Sequence, residues 1–131
     1  MLLATLAVAL GGAIGSVARF WLTALSERLF GGEFPWGTII ANVSGSFLIG
    51  IIAALPILGP RDLLGPLGRQ FLMVGIMGGY TTFSSFSLQT LTMLQHGHVA
   101  KALANVAGSV ALCLVAVWAG YALSASFSAK P

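Results

Sequence analysis

The sequence predicts an all-α membrane protein of four transmembrane helices, the third of them broken at mid-membrane. Three observations predict it. Only 7% of the 131 residues are charged and 57% are hydrophobic, whereas a soluble domain carries about 25% charged residues. Apolar runs long enough to cross a roughly 30 Å hydrocarbon core, about 20 residues each, occur four times. One of those runs carries Gly78-Gly79-Tyr80-Thr81-Thr82-Phe83-Ser84-Ser85-Phe86-Ser87 at its centre. An unpaired backbone or hydroxyl group in hydrocarbon costs several kcal/mol. Such a stretch must therefore be buried in protein or line something polar.

The first span covers about Leu2 to Leu25. It lacks a basic start, runs longer than a signal-peptide core and is interrupted by Arg19, so it reads as a span rather than a leader. Gly11 and Gly15 stand four apart on it, with Gly12 and Ser16 one step around. The loop with Gly31, Gly32 and Pro35 ends it. The second span, Thr38 to Leu58, stacks Thr38, Asn42 and Ser46 on one face and is closed by Pro56, Gly59, Pro60, Gly65 and Pro66. The third, Phe71 to Leu94, repeats the spacing of small residues at Gly75 and Gly79, which lets helix backbones approach closely. The fourth, Ala102 to Leu123, carries a second polar stripe of Asn105, Ser109 and Cys113. The four spans use most of the chain as one transmembrane domain over residues 1–131, with no soluble domain beside it.

Charge leaves the orientation balanced. Arg61, Arg69 and Lys130 fall on the side of the termini; Arg28 and Lys101, with Arg19 if it snorkels, fall on the other. The positive-inside rule then gives little bias, which permits insertion both ways and an antiparallel dimer, or a single orientation. The net charge of +3 forms no basic cluster for nucleic acid and no lipid-binding tract. The single Cys113 lies within a span, so it forms no internal disulfide.

The polar residues suggest a path for an anion. No Asp or Glu lies inside the four predicted spans, and acidic residues are the usual means of moving protons or cations in membranes. Amide and hydroxyl hydrogens are donors, and the edges of aromatic rings carry partial positive charge. Asn42 needs partners at that depth and reads either as interhelical glue or as a path residue. Arg19 reads either as a snorkelling side chain or as a vestibule charge that attracts anions. Phe83 and Phe86, three apart, share one helix face. His96 and His98 have no nearby Cys, Asp or Glu, so neither a metal site nor a catalytic triad is visible and no enzyme is indicated.

Three stretches carry a family resemblance: Gly11 through Arg19, Gly37 through Gly45, and Gly78 through Ser87. With them in this order the chain resembles the Fluc (CrcB) fluoride channels along nearly its whole length. The resemblance implies a dual-topology antiparallel homodimer in the bacterial cytoplasmic (inner) membrane. It implies two pores that let fluoride leave the cytoplasm passively, relieving its toxicity. It further implies that Phe83 and Phe86 line the fluoride path and that Asn42, Thr38, Ser84, Ser85 and Ser109 supply its polar track. By the same resemblance the backbone carbonyls of Gly78 and Thr81 hold a structural sodium ion (Na+) at the dimer centre. Asn105 and Cys113 stand where the family often has tyrosine and serine, and Ser85 where threonine is common.

Two other readings remain open at this stage. A small dual-topology multidrug exporter shares the four short helices but needs a membrane-embedded carboxylate. A non-transporting membrane assembly protein would use the polar stripes for dimer stability alone.

Overall fold

A computed structural model describes residues 1–55 and 64–128. Among the described residues four helices are long and apolar enough to cross a membrane. Helix α1 is Leu2–Phe30 and α2 is Trp36–Ala54. The third is split into α3 (65–80) and α4 (Phe83–Gln95), and α5 is Val99–Ser128. The end of the predicted second span at 56–58, the turn residues Pro56, Gly59 and Pro60, and the charges Arg61 and Lys130 lie outside the described residues.

The other helices outrun the predicted spans, whereas α2 starts two residues before Thr38 and stops at Ala54, short of the predicted Leu58. Helix α1 continues five residues past Leu25, so Glu27 and Arg28 sit in its last turns, both exposed at the loop end. The chain then turns at Gly31, whose φ of 76° favours a residue without a Cβ. Helix α3 is unusual in its middle, where Gln70–Met77 winds as a π-helix, a form found in short stretches and often near functional sites.

Glycine seams decide how the helices pair. Helix α1 lies on α3 with Gly11 against Gly75 and Gly12 against Gly79. A Cβ added at Gly11 would stand 2.5 Å from the Phe71 carbonyl oxygen and 2.9 Å from the Gly75 Cα. At Gly15 it would collide with the Ile76 carbonyl. The two spaced glycine pairs of the sequence therefore meet each other. Helices α2 and α5 form a second seam, where Gly50 meets the Val117 carbonyl and Gly120 meets that of Phe47. Without a hydrophobic force between helices in lipid, such close approach supplies the dispersion contacts that hold them.

The two ends of the bundle are tied differently. At one, Arg69 donates to the Ile52 and Leu55 carbonyls at 3.2 and 2.6 Å, closing the C-terminal end of α2. At the other, Lys101 pairs with Glu33 at 3.1 Å, linking the start of α5 to the α1–α2 loop. Phe34 packs its ring edge-on to Trp36 at 5.0 Å beside it. The fully buried core is thin, with Ala41 and Ala102 at its tightest points, while leucines and valines cover the outer faces of α1 and α5.

The seam gives a direct test. Gly15→Ala is expected to destabilise the protein by about 1–3 kcal/mol through overpacking, read as a lowered unfolding temperature in detergent. Gly12→Ala, whose Cβ would meet nothing within 4 Å, is expected to leave it unchanged. Equal effects would refute the seam.

Candidate functional site

The site is built around the interruption between α3 and α4. In a continuous α-helix the N–H of each residue bonds to the carbonyl four residues earlier. Thr81 (φ −84°, ψ 160°) and Thr82 (φ −156°, ψ 117°) are extended instead. The Thr81 N–H and hydroxyl still donate to the Met77 carbonyl, each at 2.9 Å. Beyond it the ladder is diverted. The Thr82 N–H, which a helix would send to Gly78, donates to Asn42 Oδ1 at 2.8 Å. Asn42 Nδ2 donates back to the Thr82 carbonyl at 3.1 Å. Because the Thr82 N–H can only donate, this pairing fixes which way the Asn42 carboxamide points.

Two further groups complete the replacement. The Ser85 N–H, which a helix would send to the Thr81 carbonyl, donates to Thr82 Oγ1 at 3.1 Å, so Thr82 is the N-cap of α4. The Gly79 carbonyl accepts from Arg19 Nε at 3.1 Å. The break separates the carbonyls of Gly78, Gly79, Tyr80 and Thr81 from their helical donors; Arg19 refills that of Gly79, those of Gly78 and Thr81 belong to residues that line the cavity described below, and the ψ of Thr81 turns its carbonyl off the α3 axis. These are hard oxygen donors of the kind that suit a hard cation such as sodium. Hard cations take roughly six or more oxygens, so two carbonyls fit as part of a larger set.

Two cavities meet at this point, and Thr82 lines both. One, of about 390 Å³, opens among α2, α3, α4 and α5; Asn42, Ser46, Phe83, Phe86, Ser109 and Cys113 line it, along with Gly78 and Thr81. The Phe83 and Phe86 rings stand 5.2 Å apart, tilted at 46°. Phe86 is buried, whereas Phe83 is 78% exposed on a single chain. The other cavity, of about 420 Å³, is lined by Ser16, Arg19, Thr38, Thr82, Ser85 and Gln89. A third of about 350 Å³ continues from it to the loop end, sharing Thr38 and Gln89 and reaching Glu33, His96 and His98.

The predicted site residues therefore divide. Asn42, Phe83, Phe86 and Ser109 come together with Gly78 and Thr81, while Thr38, Ser85 and Arg19 gather on the other side of Thr82. Ser84 lines none of these three cavities; it is exposed, its hydroxyl 3.2 Å from that of Thr82. Arg19 is half-buried and its Nε donates to the Gly79 backbone carbonyl. Asn105 is almost fully buried; it donates to the Thr90 hydroxyl at 2.9 Å and accepts from Ser109 at 3.3 Å. Thr90, Thr82 as a cap and Gln89 were not singled out from the sequence. Their hydroxyls and amide carry no pattern of their own until α4 is placed against α2 and α5.

The loop end carries the titratable groups. The hydrogen bond from Lys101, and then its charge, hold the Glu33 carboxyl below its usual range, with a smaller pull from His98. A depressed carboxylate keeps its contribution above the ordinary carboxylate range and loses it as pH falls through the lowered value. His96 Nδ1 lies 2.8 Å from the Thr92 carbonyl. Among the described residues no group of three or more His, Cys, Asp or Glu gathers to hold a metal ion.

Residues 6–121 match the family described as CrcB-like protein, Camphor Resistance (CrcB). The chain belongs to the CrcB family. Relatives bear the name "Fluoride-specific ion channel FluC". One from Opitutus terrae is 55% identical over 87% of this chain and 86% of its own. One from Methylocella silvestris is 46% identical over 92% of each, and one from Rhodospirillum rubrum is 53% identical over 87% and 88%. These are names of ion channels and not of enzymes.

Asn42 is the member of this CrcB site that the geometry makes most testable. Asn42→Ala leaves both Thr82 backbone groups without a partner and is expected to destabilise by about 1–3 kcal/mol for each buried group. Asn42→Asp keeps an acceptor for the N–H but loses the donor, so it is expected to fall between. Thermal unfolding in detergent reads both, and three equal midpoints would refute the clamp.

Proposed function

We propose that this chain is a fluoride-selective channel that lets fluoride leave the cytoplasm passively, relieving its toxicity. The observation that carries the reading is the cavity of about 390 Å³ beside the helix break. A tilted phenylalanine pair, an amide and a hydroxyl face it, and none of its lining residues is a carboxylate. The relatives' printed name supplies the anion.

A small, strongly hydrated anion enters a protein only where donors replace its water. Asn42 uses one Nδ2 hydrogen on Thr82 and keeps the second. Ser109 and the ring edges of Phe83 and Phe86 add partial positive charge to the same space. On the far side of Thr82, Thr38 and Ser85 offer hydroxyls beneath the Arg19 guanidinium, which draws anions toward the path. Ser84 extends the row of hydroxyls at the start of α4. Glu27 is among the residues that line the Arg19 cavity, but no carboxylate lines the cavity beside the break to pass a proton on, so transport follows the gradient.

The working unit is an antiparallel homodimer of chains inserted both ways, with two pores, in the bacterial inner membrane. The exposed Phe83 ring and the paired Gly78 and Thr81 carbonyls support it, since both lack part of their surroundings in one copy. The Gly78 and Thr81 carbonyls would hold a structural sodium ion, which would supply positive charge where the copies meet.

Liposomes loaded with potassium fluoride provide the test, with efflux followed by a fluoride electrode. Rapid efflux in the presence of a potassium ionophore, and none from chloride-loaded vesicles, is expected. Phe83→Ile and Phe86→Ile, which remove the ring edges while keeping apolar bulk, are expected to abolish it. Absence of efflux from the unmodified protein, or unaltered efflux in both variants, would sink the reading.

A further inference from the structure

We infer that Arg19 is a positioning residue for the cation site: its Nε–H occupies the Gly79 carbonyl and so sets which carbonyls the break presents. The inference rests on the sodium reading above and deepens it.

Two backbone donors are diverted at the break and one α3 carbonyl is filled from outside, each by a distinct agent. Asn42 takes the Thr82 N–H, the Thr82 hydroxyl takes the Ser85 N–H, and Arg19 fills the Gly79 carbonyl from outside the helix. The break releases the carbonyls of Gly78, Gly79, Tyr80 and Thr81 from their helical donors. Arg19 occupies that of Gly79, next to Gly78 at the end of α3, where the helix dipole concentrates negative charge. The guanidinium is a planar fork whose Nε–H has a fixed direction. It therefore holds the last turn of α3 at one rotation, with Gly78 and Thr81 turned to the Phe83 cavity. Without it the Gly79 oxygen is a competing ligand and the turn is free to rotate.

The guanidinium approaches from the opposite side. Arg19 lines the cavity with Ser16, Thr38 and Ser85, whereas Gly78 and Thr81 line the cavity with Phe83. The backbone at Thr82 stands between, which limits repulsion between the guanidinium and a cation. One side chain thus serves both cavities, with its charge in one and its Nε–H directed at the frame of the other.

The two roles separate by substitution. In glutamine Nε2 is attached to Cδ, as Nε is in arginine, so Arg19→Gln keeps a donor at that position and loses the charge. Arg19→Lys keeps the charge and puts a methylene there. The purified channel is titrated with sodium chloride, N-methylglucamine chloride holding ionic strength constant, and its unfolding temperature is recorded, since a cation bound only by the folded state raises it; the rise becomes logarithmic once sodium exceeds its dissociation constant, and that crossover is the sodium midpoint. Arg19→Gln is expected to keep the sodium midpoint of the unmodified protein. Arg19→Lys is expected to raise it about tenfold, the equivalent of one hydrogen bond to a charged group. A general loss of stability would lower every point of the curve without moving the midpoint.

A midpoint retained in Arg19→Lys, or shifted as far in Arg19→Gln, overturns the inference. An unmodified protein that sodium does not stabilise at all overturns the cation reading itself. Should both variants fail to fold, hydrogen exchange of the Nε–H groups in ¹⁵N-arginine-labelled unmodified protein decides. Arg19 Nε–H is expected to exchange slowly, and more slowly in sodium. Exchange as fast as in free arginine, or unaltered by sodium, refutes the role.

Discussion

A transmembrane helix can be interrupted only if the groups released from its ladder find another partner or polar space, and the pairing of Asn42 with Thr82 meets that demand for both backbone groups of the residue at the break. The carboxamide takes one donor and gives one back at 2.8 and 3.1 Å, reproducing what the missing turn would have supplied. In hydrocarbon the alternative costs several kcal/mol per group. Everything local follows from this bond pair. Two residues become extended, α4 starts afresh with its own N-cap, and the oxygens on the α3 side face outward instead of along the helix.

The same interruption explains why polar space occurs here. A continuous helix would present Thr82 on one face only. Extended, it separates one space lined by rings and an amide from another lined by a guanidinium and hydroxyls. The stripe on α5 then acts at two levels. Asn105 and Thr90 use their polarity on each other, deep in the bundle, while Ser109 both bonds Asn105 and lines the space beside Phe86. Stripes of equal spacing therefore do unequal work, with burial deciding which members hold helices and which face a cavity.

Much of this was legible in the residues. Four apolar runs determine four helices because lipid leaves a backbone few alternatives, and the glycine–hydroxyl stretch marked the interruption. The spaced glycines of α1 and α3 indicated close approach, although only the structure shows that they meet each other. Gly50 and Gly120 escaped notice because neither has a second glycine four positions away; their small neighbours at that spacing are Ser46 and Ala54, and Ala116 and Ser124, residue types too common in such helices to mark a seam. The extra length of α1, which brings Glu27 onto a helix, was also hidden, since a hydrophobicity boundary and a hydrogen-bonding boundary differ. Arg19 shows the limit most clearly. Its type and depth posed the question of which way it points, but a bond across 60 positions of chain is tertiary information that no local pattern carries.

The glycine seam between α1 and α3 has an evolutionary consequence. Every single-base change in a glycine codon that is not silent or a stop adds at least one heavy atom. At Gly11, Gly15 and Gly79 the first such atom meets a neighbouring carbonyl oxygen. These positions therefore have no intermediate steps by which a lineage could drift, whereas the leucines and valines facing outward can exchange freely. Divergence among relatives should accumulate on the outside of the bundle and leave the inner seam unchanged, so that age is recorded on the surface and ancestry in the glycines.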